Sequence, residues 1–171
     1  MYRIKQGGRA LLAFTQSVDT VLVQQTLSPT QQSLFFALVR SEQLHSLNVL
    51  RDVLAQSPHT PQDLAAAALL HDCGKSRYAL ATWQRTLAVL VRAFVPPLSR
   101  RLSQDDRLTF WRAPFVVRKY HPAWGAQMLR DISASPRLIW LVEHHADSLE
   151  QWATHPDIDL LKRLKKADDA N

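Results

Sequence analysis

"LLHDCGK", residues 69–75, is the stretch on which the reading of this chain turns. It follows "DLAAAA" at 63–68, so a run of small and aliphatic residues leads straight into an imidazole and a carboxylate, His71 and Asp72. Leu64, Ala67 and Ala68 recur at helical spacing and carry one apolar face on to His71 and Asp72. Gly74 is expected to end this helix, with Lys75 beside its last carbonyls. Buried imidazoles and carboxylates must be paired or given to a metal, because an unpaired buried charge is prohibitively costly. Cys73, the single cysteine, reads as a small residue filling space beside the doublet.

Outward from this tract nearly every segment reads helical. "SPTQQSLFFALVRSEQLHSLNVLRDVLAQ" opens with Ser28 as N-cap and Pro29 at the first helical position, and holds one long helix or two abutting ones. "TPQDLAAAALL" restarts at Thr60. "TWQRTLAVLVRAF" is amphipathic, with Trp83, Leu87, Leu90, Val91 and Phe94 on one side, until Pro96 and Pro97 stop it. The segment 99–119 is basic and irregular. "HPAWGAQMLRDI" puts His121 at a helix start with Pro122 as the first helical residue, and "SPRLIWLVEHHAD" repeats that grammar from Ser135. "PDIDLLKRLKKADDA" closes the chain. No strand pattern or internal repeat stands out, so the expected fold is an all-α bundle of about six to eight helices. The five tryptophans are read as core or dimer packing.

Composition sets the outer limits. With 171 residues, 46% hydrophobic and only 4 glycines, the chain is one domain's length and neither disordered nor fibrous. Its start carries charge without a sustained apolar core, no run approaches a membrane span, and one cysteine allows no internal disulfide, so a cytoplasmic protein is expected. Net charge is +6, with 11 Lys/Arg against 3 Asp/Glu between Ser76 and Arg137. Such a local surplus suits a phosphorylated ligand, an anionic surface or simply a solvated face.

Of seven histidines, His59 and His155 sit in proline-flanked loops and read as exposed. The other five, His45, His71, His121, His144 and His145, sit on or at the start of helices. His45 shares a helix face with Leu38, Val49 and Val53. Asp168 continues the stripe Leu160, Leu161, Leu164, whereas Asp169 is turned about 100° from it. Imidazole and carboxylate together are a normal ligand set for iron, manganese, zinc, cobalt or nickel.

The order His45, then His71–Asp72, then a distant Asp168 resembles the H…HD…D pattern of the HD superfamily of metal-dependent phosphohydrolases. "LLHDCGK" is similar to its HD-x-G-K version, and "YHPAWGAQML" and "LVEHH" resemble the H-P-x-x-G-A and H-H elements of dinuclear subgroups. "LKKADDAN" resembles the family's last helix. The resemblance implies a compact HD-domain helical bundle over 1–171, with an N-terminal extension at 1–28 and a basic insert at 76–119. It implies that His45, His71, Asp72 and Asp168 hold a first divalent transition metal. His121 and His144 would hold a second, with His145 the weaker candidate and Asp72 bridging the two. Lys75 would face the substrate phosphate, with Arg77, Arg85, Arg112 and Arg118 as further candidates. The chain departs from the subgroup that hydrolyses cyclic di-GMP: no G-Y-P follows the H-H, and the acidic position one turn before His45 is Ser41, with Glu42 one residue away.

The expected function is therefore hydrolysis of a phosphoester or phosphoanhydride in a nucleotide or signalling nucleotide by metal-activated water, with Asp72 and Lys75 catalytic. Homodimerisation is compatible with this reading and nucleic acid is a poor fit. The competing expectation is a weakly active, metal-bound regulatory module that docks a protein or anionic partner through the basic insert.

Overall fold

A computed structural model describes residues 17–171 apart from residue 79 and residues 105–108, and apart from the side chains of Thr82, Arg85 and Arg92. Among the described residues there are nine α-helices and no strand. They are α1 (Thr20–Thr26), α2 (Pro29–Phe36), α3 (Arg40–Ala55), α4 (Gln62–Leu70), α5 (Thr82–Phe94), α6 (Pro96–Leu102), α7 (Ala113–Asp131), α8 (Pro136–His144) and α9 (Ile158–Ala170). Two 3-10 turns, Cys73–Arg77 and Leu149–Trp152, complete the described elements.

The all-α expectation holds, and the local stop and start signals explain most boundaries. Ser28 caps α2 reciprocally with Gln31: its hydroxyl accepts from the Gln31 N–H and its own N–H donates to Gln31 Oε1 at 3.0 Å. The stretch 28–56 is two helices, because the chain turns between Phe36 and Arg40. Leu38 therefore reaches the core from that turn rather than from the face of α3. Ser135 caps α8, accepting from the Leu138 N–H and donating its hydroxyl to Asp63 of α4 at 2.6 Å. Pro96 and Pro97 end α5 and at the same time open α6, where a missing N–H costs nothing.

The core is built around α4, which is buried on every side from Leu64 to Leu70. Such a helix has no solvent face and sits at the centre of its neighbours. Leu47, Leu50 and Val53 of α3, Leu138 and Leu141 of α8, and Leu161 and Leu164 of α9 surround it in one apolar cluster. Val23 and Leu27, from the stretch expected to be an extension, belong to the same cluster.

Two expectations are corrected. First, α7 begins at Ala113, eight residues before His121, and Pro122 lies inside it. Second, Gly74 is not the stop of α4, which ends at Leu70, and its φ is not positive. Glycine is required there by close approach: a Cβ on Gly74 would stand 2.0 Å from the His121 carbonyl oxygen and 2.7 Å from the Gly125 nitrogen. Both are backbone atoms of α7, so neither can step aside as a flexible side chain would. Gly125 answers from the other side, where a Cβ would press on Cys73 Sγ and Val142 at 3.1 Å. Gly74→Ala is expected to lower unfolding stability by about 3 kcal/mol, the upper range for overpacking, as read from urea unfolding followed by circular dichroism. A loss under about 1 kcal/mol would mean that the turn and α7 separate easily.

Candidate metal centre

The close contact between the 73–77 turn and α7 brings five elements to one end of the bundle. His45 comes from α3, His71 and Asp72 from the end of α4, His121 from the middle of α7, His145 from the end of α8 and Asp168 from α9. Asp72 is buried at the focus. Its Oδ2 lies 3.3 Å from His71 Nε2 and 3.9 Å from His45 Nε2. Its Oδ1 lies 3.1 Å from His121 Nε2 and 3.9 Å from His145 Nε2. Asp168 Oδ1 closes the first group, 2.9 Å from His45 Nε2 and 3.6 Å from His71 Nε2. Two sets of ligand atoms, each within 4.8 Å of one another, could thus hold a metal ion: His45, His71 and Asp72, and Asp72, His121 and His145.

One local device orients three of these rings. His71 Nδ1 lies 3.0 Å from the Ala68 carbonyl, His121 Nδ1 2.9 Å from the Arg118 carbonyl and His145 Nδ1 2.8 Å from the Val142 carbonyl. Each acceptor is three residues back, and each is a carbonyl without its ordinary helical donor. At His71 and His145 the helix has ended. At His121 the helix continues, but the donor to Arg118 would be Pro122, which has no N–H. A carbonyl oxygen only accepts, so Nδ1 carries the proton in all three rings. The three Nε2 atoms then point into the cluster, the orientation a metal ligand requires.

The donor set is poorly satisfied by its own members. His71 Nε2 is buried and in hydrogen-bonding alignment with no partner. His121 Nε2 and His145 Nε2 face each other at 3.2 Å, two lone pairs that a shared cation would reconcile. With no metal bound, burial disfavours a charged His71, yet the Asp72 and Asp168 carboxylates outweigh it and raise its pKa to about 10, so a metal would take this position by displacing the Nε2 proton. His145 goes the other way, to about 3, through burial and the positive charge that His71 and His121 carry when protonated. Asp72 is held well below the carboxylate range, its burial opposed by His71 and Lys75. Cys73 is pushed up to about 12 by burial and by Asp72, so it stays a thiol, as its filling role requires.

Most of the expected site residues converge, with differences at His144, Arg77 and Arg112. His144 does not join the cluster: its Nδ1 meets Asp147 Oδ2 at 2.8 Å and its ring packs on Trp152 with centroids 4.0 Å apart. The two members of the His–His pair are 100° apart on a helix, so only one reaches His121, and it is His145. His155, expected to be exposed, is half-buried and stacked on Trp140 at 3.7 Å, while His59 is exposed. Arg77 stands over the Trp124 ring at 5.1 Å and does not line the cavity above the cluster. Arg112 instead donates to the Leu102 carbonyl, and the side chain of Arg85 lies outside the described residues.

That cavity measures about 1100 Å³. Its floor is the histidine–carboxylate cluster, and its walls include Arg100, Arg118 and Lys119. Lys75 lines it too, bridging Asp72 Oδ2 at 2.5 Å and Glu42 Oε2 at 3.1 Å. Glu42 therefore reaches the site from three residues before His45, a spacing that shares a helix face as well as four does. Arg100 and Lys119 carried no sequence signal beyond the basic surplus of their segment.

Pro122→Ala should restore an N–H that competes with the His121 ring for the Arg118 carbonyl. Metal affinity is expected to fall about tenfold, as for other losses of a group orienting a ligand, while thermal stability holds or rises. Isothermal titration and thermal unfolding measure the two, and an unchanged affinity would remove Pro122 from the account.

The family model of the HD domain matches residues 44–170, well over half of the chain. No curated protein and no solved structure matches it significantly. That match spans every converging residue from His45 to Asp168, and the chain accordingly belongs to the HD domain family, whose members are generally metal-dependent phosphohydrolases.

Proposed function

We propose that this chain is a metal-dependent phosphohydrolase that cleaves a phosphoester or phosphoanhydride of a nucleotide or signalling nucleotide. The observation that carries this reading is the division of one buried carboxylate between two groups of inward-facing imidazoles, Oδ2 to His45 and His71 and Oδ1 to His121 and His145. His45, His71, Asp72 and Asp168 would hold one divalent transition metal, and Asp72, His121 and His145 a second. Such ions, when bound, supply Lewis acidity and lower the pKa of water far below 15.7.

The remaining work falls to residues of the chain. Asp72 fixes the spacing of the two positions. Lys75, the cation closest to it, holds that carboxylate ionised and presents positive charge to the cavity. Arg100, Arg118 and Lys119 on the facing wall suit the non-reacting oxygens of a phosphate or polyphosphate. A cavity of about 1100 Å³ has room for a nucleotide beside the ions.

The test joins metal content to turnover. The chain purified without chelators should carry about two transition-metal ions and hydrolyse a member of a nucleotide and phosphodiester panel. Asp72→Ala should lose both ions and reduce turnover by at least about a thousandfold, with its helical circular dichroism intact. His145→Ala should lose one ion and His144→Ala none, as mass spectrometry of the metal content reads directly. Stoichiometric metal with no turnover across the panel would leave a metal-bound module and sink the enzymatic reading.

A further inference from the structure

We propose that the apolar face of α5, together with Phe110 and Trp111, docks this protein on the surface of an anionic lipid bilayer. α5 rests on the body through Gln84 and Ala88, both buried, and Gln84 donates to the Phe110 carbonyl at 3.2 Å. The stripe of Trp83, Leu90 and Phe94 lies roughly 100° round the helix from that contact. It stands in solvent: Trp83 is 49% exposed, Leu90 48% and Phe94 79%. The stripe is extended by Phe110, 53% exposed, and Trp111, 66% exposed. Trp83 and Phe110 have ring centroids 5.6 Å apart and Phe110 and Trp111 5.2 Å, so the three rings form one patch. Single exposed apolar side chains are ordinary; a contiguous patch of aromatic and aliphatic groups marks a surface that something covers.

Charge identifies the occupant. Residues 76–120 contain eight arginines and one lysine against two carboxylates, Asp105 and Asp106. Arg100 and Arg101 are exposed on α6, which follows Phe94 after one residue. A second copy meeting this face about a two-fold axis would set that positive surplus against itself. An anionic leaflet attracts it, and the headgroup–acyl boundary takes up tryptophan, phenylalanine and leucine in the same contact. Leu90, Val95 and Leu98 are exposed aliphatic groups that gain from acyl chains and offer nothing for a nucleobase to stack on. No described helix is long and apolar enough to cross a membrane, so the contact lies along the surface.

The experiment is vesicle flotation of the full chain, with tryptophan emission as a second readout. The protein should float with phosphatidylcholine vesicles containing about 30% phosphatidylglycerol, remain behind with pure phosphatidylcholine, and release at about 0.5 M NaCl. Its emission should shift to the blue on binding. Leu90→Ser with Phe94→Ser should weaken binding roughly tenfold or more without altering thermal unfolding, because both side chains stand outside the core. Arg101→Glu, outside the cavity lining, should also weaken binding with the apolar face intact. Absence of flotation with either vesicle, or flotation indifferent to the Leu90/Phe94 substitutions, overturns the proposal. A dimer in analytical ultracentrifugation that those substitutions dissociate also overturns it, and assigns the face to a second copy.

Discussion

Everything at the functional end of this bundle is arranged around one buried carboxylate. Asp72 is 3% exposed, and a carboxylate at that depth must be compensated on every side. Lys75 compensates it with a charge at 2.5 Å, and four imidazoles approach its two oxygens from three other helices and from the preceding residue. Replacing Asp72 by an apolar residue would not simply remove a ligand atom. It would leave the buried end of Lys75 without its nearest anion, a poorly compensated charge in a region of low dielectric. The carboxylate therefore sets the spacing of the cluster, and that spacing in turn demands the close approach of the 73–77 turn to α7 that Gly74 and Gly125 permit.

The imidazoles are oriented economically. Many histidine sites fix the outer nitrogen with a carboxylate that has no other task. Here the backbone supplies the acceptor, at Ala68, Arg118 and Val142, each three residues before the ring. Two of those carbonyls are free because the helix stops. The third is free because a proline follows the histidine, so a residue that looks like a helix start in the sequence acts as an interruption of the hydrogen-bond ladder in the middle of a helix. A ring tied to its own backbone loses its rotation with little extra chain ordered, so the lone pairs are set in place by the fold itself.

Much of this was legible before any coordinates, and the misses share a physical character. Helix existence followed from spacing and from Ser–Pro starts at 28 and 135, and the inward direction of His45 and Asp168 from the apolar residues flanking them. Those are local signals. The choice between His144 and His145 was not local, because at the end of α8 two adjacent rings point a third of a turn apart and only the position of α7 decides between them. Gly74 was read as a helix stop because that is the common use of glycine. Its actual constraint, a carbonyl of His121 2.0 Å from where a Cβ would be, lies 47 positions away in the chain and leaves no trace in the neighbouring sequence. Trp83 and Trp111, read as core or dimer packing, stand half-exposed or more and so lie outside the core of the single chain. The amphipathic pattern of α5 was read correctly, but a pattern gives the direction of an apolar face and not what lies opposite it.

The division of charge along the chain gives these pieces a common sense. Net charge is +6 overall and +8 between Ser76 and Arg137, so the rest of the chain, which supplies His45, His71, Asp72 and Asp168, carries −2. Carboxylates and inward-facing imidazoles make a floor suited to metal cations. The arginines and lysines of the intervening segment make a wall suited to anions. Under the proposed reading, a phosphate would be neutralised by metal on one side and by guanidinium on the other. The helices of that segment face two ways, towards the cavity through Val89 and Arg100 and towards solvent through Leu90 and Phe94. Adjacent positions on α5 thus belong to two surfaces, and a substitution at one can be separated from the other by a single residue.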